Sequence, residues 1–207
     1  NKINFNVRKG KITGFIGING SGKTTTIKSL AGLIIPSGGT IEYFGEEITS
    51  KNESRLRARI GFLLDGDYYY PELTLKQMKK IVSAAYTKWD ENVFNFYIEK
   101  FNLTLNKKIG TLSKGMKMQY MLSLALSHHA ELLIMDEPTS GLDPLVRLEL
   151  MQILRELADK GIGILFSSHL TLISTMSFFI SCCNNRSACN CKNYKYHKHN
   201  YHTKYNN

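Results

Sequence analysis

The sequence predicts an α/β domain whose core is a mostly parallel sheet, and three observations carry that expectation. Ile12, Phe15 and Ile16 form a short apolar strand that runs through a glycine-rich loop into a helical run carrying Ile27, Leu30, Ala31 and Leu33. Leu132-Leu133-Ile134-Met135 and Ile162-Gly163-Ile164-Leu165-Phe166 are continuous apolar runs, the pattern of strands covered on both faces. Between them Leu145 to Lys160 has helical periodicity, and strand, helix, strand in that order implies a right-handed parallel crossover. With 207 residues, 43% of them hydrophobic, the chain can bury the core of one ordinary domain without disulfides or metal.

The loop Gly17-Ile18-Asn19-Gly20-Ser21-Gly22-Lys23-Thr24-Thr25 satisfies G-x-x-x-x-G-K-[ST] at every fixed position, between a strand and a helix as that pattern requires. Small residues let successive backbone N–H groups turn toward one phosphate chain, and the following helix points its positive dipole end at the same charge. A nucleoside triphosphate is the expected ligand, with Lys23 on the outer phosphates and Thr24 on Mg2+. A glycine-rich turn without a ligand is the bland alternative, and the strand-loop-helix context argues against it.

Next, Pro36-Ser37-Gly38-Gly39 leads into Thr40-Ile41-Glu42-Tyr43-Phe44-Gly45, turn residues and a short strand that suggest a small antiparallel hairpin region. Glu53 to Arg59 is a charged helix candidate. Ile60-Gly61-Phe62-Leu63-Leu64 reads as a buried strand entering the acidic, aromatic loop Asp65 to Pro71, which separates two halves of the domain. From Leu75 to His129 the pattern is mostly helical. Leu75, Met78, Ile81, Val82 and Ala85 share one face and Val93, Phe94, Tyr97, Ile98 and Phe101 another, both read as core.

The run Leu132 to Met135 ends in Asp136-Glu137-Pro138, two carboxylates at the carboxyl edge of a parallel sheet, where such folds bind ligands. Asp136 is the candidate for orienting Mg2+ through its water shell. Glu137 is the candidate general base for water attacking the terminal phosphate. Solvated acids are common in loops, so the phosphate loop supplies the weight here. Ser167-Ser168-His169 closes the next strand, and the His169 imidazole can donate to the terminal phosphate.

Together with Leu112-Ser113-Lys114-Gly115-Met116 and Ser140-Gly141-Leu142-Asp143-Pro144, these blocks resemble the ATP-binding subunits of ATP-binding cassette transporters over residues 1 to 169. The resemblance implies a P-loop NTPase core with a helical signature subdomain, binding ATP and Mg2+ and hydrolysing ATP. It implies a head-to-tail dimer in which Ser113 and Gly115 serve the partner's ATP, Asp143 contacts the opposite subunit, and the Asp65 to Tyr70 loop faces a membrane permease. Tyr70-Pro71-Glu72-Leu73-Thr74 and the Lys-Gly-Met-Lys signature look like single-cassette exporters. The resemblance also implies the cytoplasmic membrane face, no nucleic acid, and an adenine-stacking aromatic upstream of Asn1. Two departures stand out: Lys114 and Met116 replace the usual Gly and Gln of the signature, and Asp65, short for its task, falls where the family carries a lid Gln. Ser113 is also a plain helix N-cap candidate, and the two roles are compatible.

The formal charge of +10 is uneven, since residues 170 to 207 hold five basic residues and no acid. No arginine-rich arm or nucleic-acid motif accompanies it, so the excess reads as solvated surface that also suits an anionic membrane. No apolar run of 18 residues and no signal segment is present, which makes the cytoplasm the working location. All four cysteines, Cys182, Cys183, Cys189 and Cys191, lie in this tail with His197, His199 and His202. The family continues with an acid-containing helix and closing strands, which such a composition is not expected to supply. A shifted reading frame or damaged terminus is the leading expectation for residues 170 to 207, a soft-metal site the sharper alternative. Two other functions stay open at this point: a product of little activity, or a soluble cassette acting on ribosomes or DNA.

Overall fold

In the computed structural model, residues 3–64, 66, 69–168 and 179–181 are described. Five strands form the main sheet: β1 (Ile12–Ile16), β4 (Ile60–Leu63), β5 (Leu132–Met135), β6 (Gly163–Ser168) and β7 (Phe179–Ser181). Their order is β4-β5-β6-β1-β7 and every pair is parallel. A two-residue antiparallel ladder, β2 (Glu42–Tyr43) with β3 (Glu46–Glu47), makes the small second sheet. The helices are α1 (Lys23–Leu30), α2 (Glu53–Arg57), α3 (Leu75–Ala84), α4 (Glu91–Lys100), α5 (Lys114–Ser127) and α6 (Pro144–Asp159).

The apolar runs fold as strands because both faces are covered: every residue of β6 is buried, as are Leu133, Ile134 and Met135. On one side Phe15, Ile27, Leu56, Ile60, Leu64, Ile134 and Leu165 form a compact cluster under α1 and the small sheet. On the other side a larger core joins the sheet to α3 through α6. Helix α5 lies close on β4 at Gly61, where an added Cβ would stand 2.6 Å from the Ala125 methyl and 2.7 Å from Leu133 Cδ2. Tyr120, buried on α5, donates its hydroxyl to the Leu75 carbonyl at 2.8 Å and meets Tyr69 edge-on. His128, at the end of α5, stacks on Tyr86 with ring centres 3.9 Å apart, and burial pushes its pKa down to about 4.

Three expectations need correction. The loop helix ends at Leu30, not Leu33: Gly32, at φ +77°, and Leu33 donate back to Ser29 and Lys28, a Schellman closure that swings Leu33 out to half exposure. On α3, Leu75 and Met78 are buried, whereas Ile81 and Ala85 are exposed. Ile81 lies about 100° round the helix from Val82, at the edge of the stripe, and Ala85 is already the C-cap. In the tail, where the sequence predicts no closing strand, Phe179–Ser181 pairs in parallel register with Gly14, Phe15 and Ile16. Three backbone residues can join a sheet edge whatever the composition around them.

Candidate functional site

The strand order brings the site together. Because β6 lies between β5 and β1, the loop leaving β1 and the acids leaving β5 flank the end of β6. The register places Ser167 opposite Phe15 on one side and Phe166 opposite Met135 on the other.

The loop turns through Gly20 at φ +76° and Gly22 at φ +94°, left-handed values that favour glycine. A Cβ added at either would enter open space, so these glycines line a cradle that side chains leave free. Gly22 caps α1, whose first residue is Lys23. The Lys23 chain is almost wholly buried, and its Nζ donates to the carbonyls of Gly17 at 2.7 Å and Ile18 at 3.2 Å. Gly17, Asn19 and Ser21 complete the same turn, with Ser21 N–H closing back on the Ile18 carbonyl at 3.2 Å, and Thr25 lies in the first turn of α1.

Across the sheet edge, Thr24 Oγ1 donates to Asp136 Oδ1 at 3.3 Å, so the loop and the acidic strand end meet as expected. Asp136 is buried, and its backbone N–H bonds the Leu63 carbonyl of β4 at 2.9 Å. Glu137, half-buried, adopts φ +46°, a left-handed conformation that costs a non-glycine residue of order 1–3 kcal/mol. The sequence named Ser167 only as a neighbour of His169. In the structure it is fully buried, donates its hydroxyl to Asp136 Oδ1 at 2.6 Å and accepts the Glu137 N–H at 2.8 Å. A hydroxyl residue ending an otherwise apolar strand next to an acidic strand end was the available signal.

A second group lies at the start of α5 and α6. Ser113 caps α5, accepting the Met116 N–H at 3.2 Å, and Asp143 caps α6, accepting from Leu145 and Val146. At Gly115 an added Cβ would stand 2.9 Å from Val146 Cγ1 of α6 and 3.8 Å from Leu142 Cδ2, so the signature stretch abuts the start of α6 and the Ser140–Asp143 turn before it. Ser113→Ala is expected to cost about 1 kcal/mol in denaturant unfolding without nucleotide, whereas Ser113→Asp keeps the cap. A loss below about 0.3 kcal/mol would remove the capping account. His169 and the lid candidate Asp65 lie outside the described residues, as does the Cys/His tail apart from Phe179–Ser181.

The donor set suits Mg2+. Thr24 and Asp136 offer one hydroxyl and one buried carboxylate, and among the described residues no group of three His, Cys, Asp or Glu forms a closed cage. Mg2+ keeps several waters and takes its other ligands from phosphates, so two protein groups beside a phosphate cradle are an adequate seat. No described helix is long and apolar enough to cross a membrane.

Comparison with known proteins agrees with this geometry. A family profile described as ABC transporter matches residues 1–140. The chain is 40% identical over 171 residues to the bacitracin transport ATP-binding protein BcrA of Bacillus licheniformis, covering 81% of this chain and 56% of that protein. It is 34% identical over 175 residues to the Nod factor export ATP-binding protein I of Burkholderia lata, covering 82% and 57%. Thus the chain spans little more than half the length of these curated relatives. Among solved structures, an ATP-binding subunit of an ABC transporter superposes with a TM-score of 0.74 at 31% identity, covering 86% of this chain and 76% of that one.

Proposed function

The chain belongs to the ATP-binding cassette (ABC) transporter family, and from that premise we propose that it is the ATP-hydrolysing subunit of a membrane exporter. It works as one half of a head-to-tail pair of such subunits, at the cytoplasmic face of the membrane, on a separate permease. The observation that carries this reading is the convergence of the phosphate loop with the acidic strand end, where Thr24 reaches Asp136 across 112 residues of sequence.

The backbone N–H groups of Gly17 to Thr25 hold the phosphates, with Lys23 neutralising their charge. Thr24 and Asp136 hold Mg2+, which when bound polarises the terminal phosphate. Glu137 takes the proton of the attacking water, and His169 donates to the terminal phosphate. Ser113, Gly115 and Asp143 act on the opposite subunit's nucleotide, so turnover needs two copies, and closing them over ATP moves the permease. The exporter assignment draws on the printed roles of two relatives, bacitracin transport and Nod factor export. The transported molecule is selected by the permease.

The test is thermal unfolding with and without Mg-ATP. Ligand bound only to the folded state adds RT ln(1 + [L]/Kd), about 2.7 kcal/mol at a hundredfold excess over Kd. A clear rise in Tm at millimolar Mg-ATP is expected, and an unchanged Tm overturns the reading.

A further inference from the structure

At the end of β5 the chain must leave the sheet, and the backbone N–H of Glu137 loses the ladder partner that a further strand residue would have had. An unpaired buried N–H is costly, so such a departure needs another acceptor. The acceptor is a side chain: Ser167 Oγ, from the neighbouring strand, takes the Glu137 N–H at 2.8 Å. The same oxygen donates its proton to Asp136 Oδ1 at 2.6 Å. Thr24 donates to that same carboxylate oxygen, so two hydroxyls converge on Oδ1 and fix the rotation of the carboxylate. Ser167 is wholly buried, so bulk water does not compete for these bonds in the intact protein.

Resting on the function proposed above, we propose that Ser167 is the positioning residue of the acidic pair, one hydroxyl setting both the Asp136 carboxylate and the left-handed turn that carries Glu137 off the sheet. Ser167 touches neither phosphate nor the attacking water in this assignment; it acts through its two neighbours. Its proton is committed to Asp136 and its lone pair to Glu137, so the two acids cannot shift independently. A donor-only or acceptor-only side chain could not serve both. Alanine leaves a buried carboxylate short of a donor and a peptide N–H without an acceptor, two losses from one atom.

The experiment titrates MgCl2 into wild-type protein, S167A and S167T at fixed ATP, reading Tm against an ATP-plus-EDTA baseline, with steady-state turnover measured in parallel. S167A is expected to start from a lower Tm but to keep the wild-type rise on adding ATP in EDTA, because the phosphate loop is untouched, so each protein's Mg2+ response is read against its own metal-free ATP baseline. It is expected to need about tenfold or more Mg2+ for half-effect and to lose about 10–100-fold in turnover, the scale typical when an outer-shell partner of a metal ligand is removed. S167T retains the hydroxyl and is expected to recover most of the Mg2+ response. Should S167A not fold, S167C, close in size but a weak donor, is read in the same titration. An S167A or S167C curve that overlays the wild type in Mg2+ dependence overturns the positioning role, and so does a variant whose only change is a lower Tm without ATP. Failure of the wild type to respond to Mg2+ and ATP overturns the function itself, and that arm is read separately.

Discussion

Glu137→Gln is expected to lower ATP turnover by about 10²–10⁴-fold, the usual contribution of a positioned general base, while leaving ATP affinity within about threefold. Gln matches Glu in length and can take the same left-handed backbone at φ +46° with its N–H on Ser167. What changes is the ability of the side-chain oxygen to accept a proton. Because the proposed pair of subunits opens only after hydrolysis, the variant is also expected to accumulate as an ATP-stabilised dimer, visible by light scattering with Mg-ATP and absent with Mg-ADP. Turnover of Glu137→Gln within a few-fold of wild type would remove Glu137 from the role of base. A matching loss in Glu137→Ala, with weaker ATP binding besides, would point to disturbance of the backbone turn instead.

The parts of this site that sequence made legible are those with a one-dimensional signature. Gly20, Gly22 and Lys23 sit in a contiguous pattern whose backbone demands are local, and Asp136-Glu137 ends a strand recognisable from four apolar residues. Parallel pairing also followed from strand-helix-strand order, because a crossover connection leaves little choice of handedness. The strand order β4-β5-β6-β1 is a different kind of fact. It depends on which edges meet in three dimensions, and it is what sets Ser167 between the loop and the acids. Ser167 was therefore visible only as a polar residue near a histidine. The α3 stripe shows a second limit: periodicity marks which residues face one way, but whether Ile81 is covered depends on how far the neighbouring helix reaches. The early end of α1 shows a third, since Gly32 closes the helix through backbone bonds that a list of apolar positions does not register.

Lys23→Met is expected to remove about half or more of the protection conferred by Mg-ATP without lowering the stability of the nucleotide-free protein. Lys23 is 4% exposed and stands at the first position of α1, so its cation is held out of water at the positive end of a helix dipole. Two carbonyl oxygens, from Gly17 and Ile18, partly offset that cost. A residue placed so unfavourably for folding is explained by a ligand that brings negative charge to it, the trade expected where function overrides stability. Met keeps the length and the apolar stem and removes the charge, and the Ile18 carbonyl retains the Ser21 N–H as partner. In thermal unfolding without nucleotide the variant should therefore match or exceed wild type. If affinity falls 10–100-fold, an ATP concentration giving wild type about 2.7 kcal/mol of protection gives the variant only about 1.4 to 0.4 kcal/mol. Lys23→Arg is not expected to restore it, because the planar guanidinium is bulkier than an ammonium in a loop closed around Gly17 and Ile18. A Lys23→Met protein that is markedly less stable without ATP yet fully protected by it would show that this lysine holds the loop together and leaves the phosphates to the backbone alone.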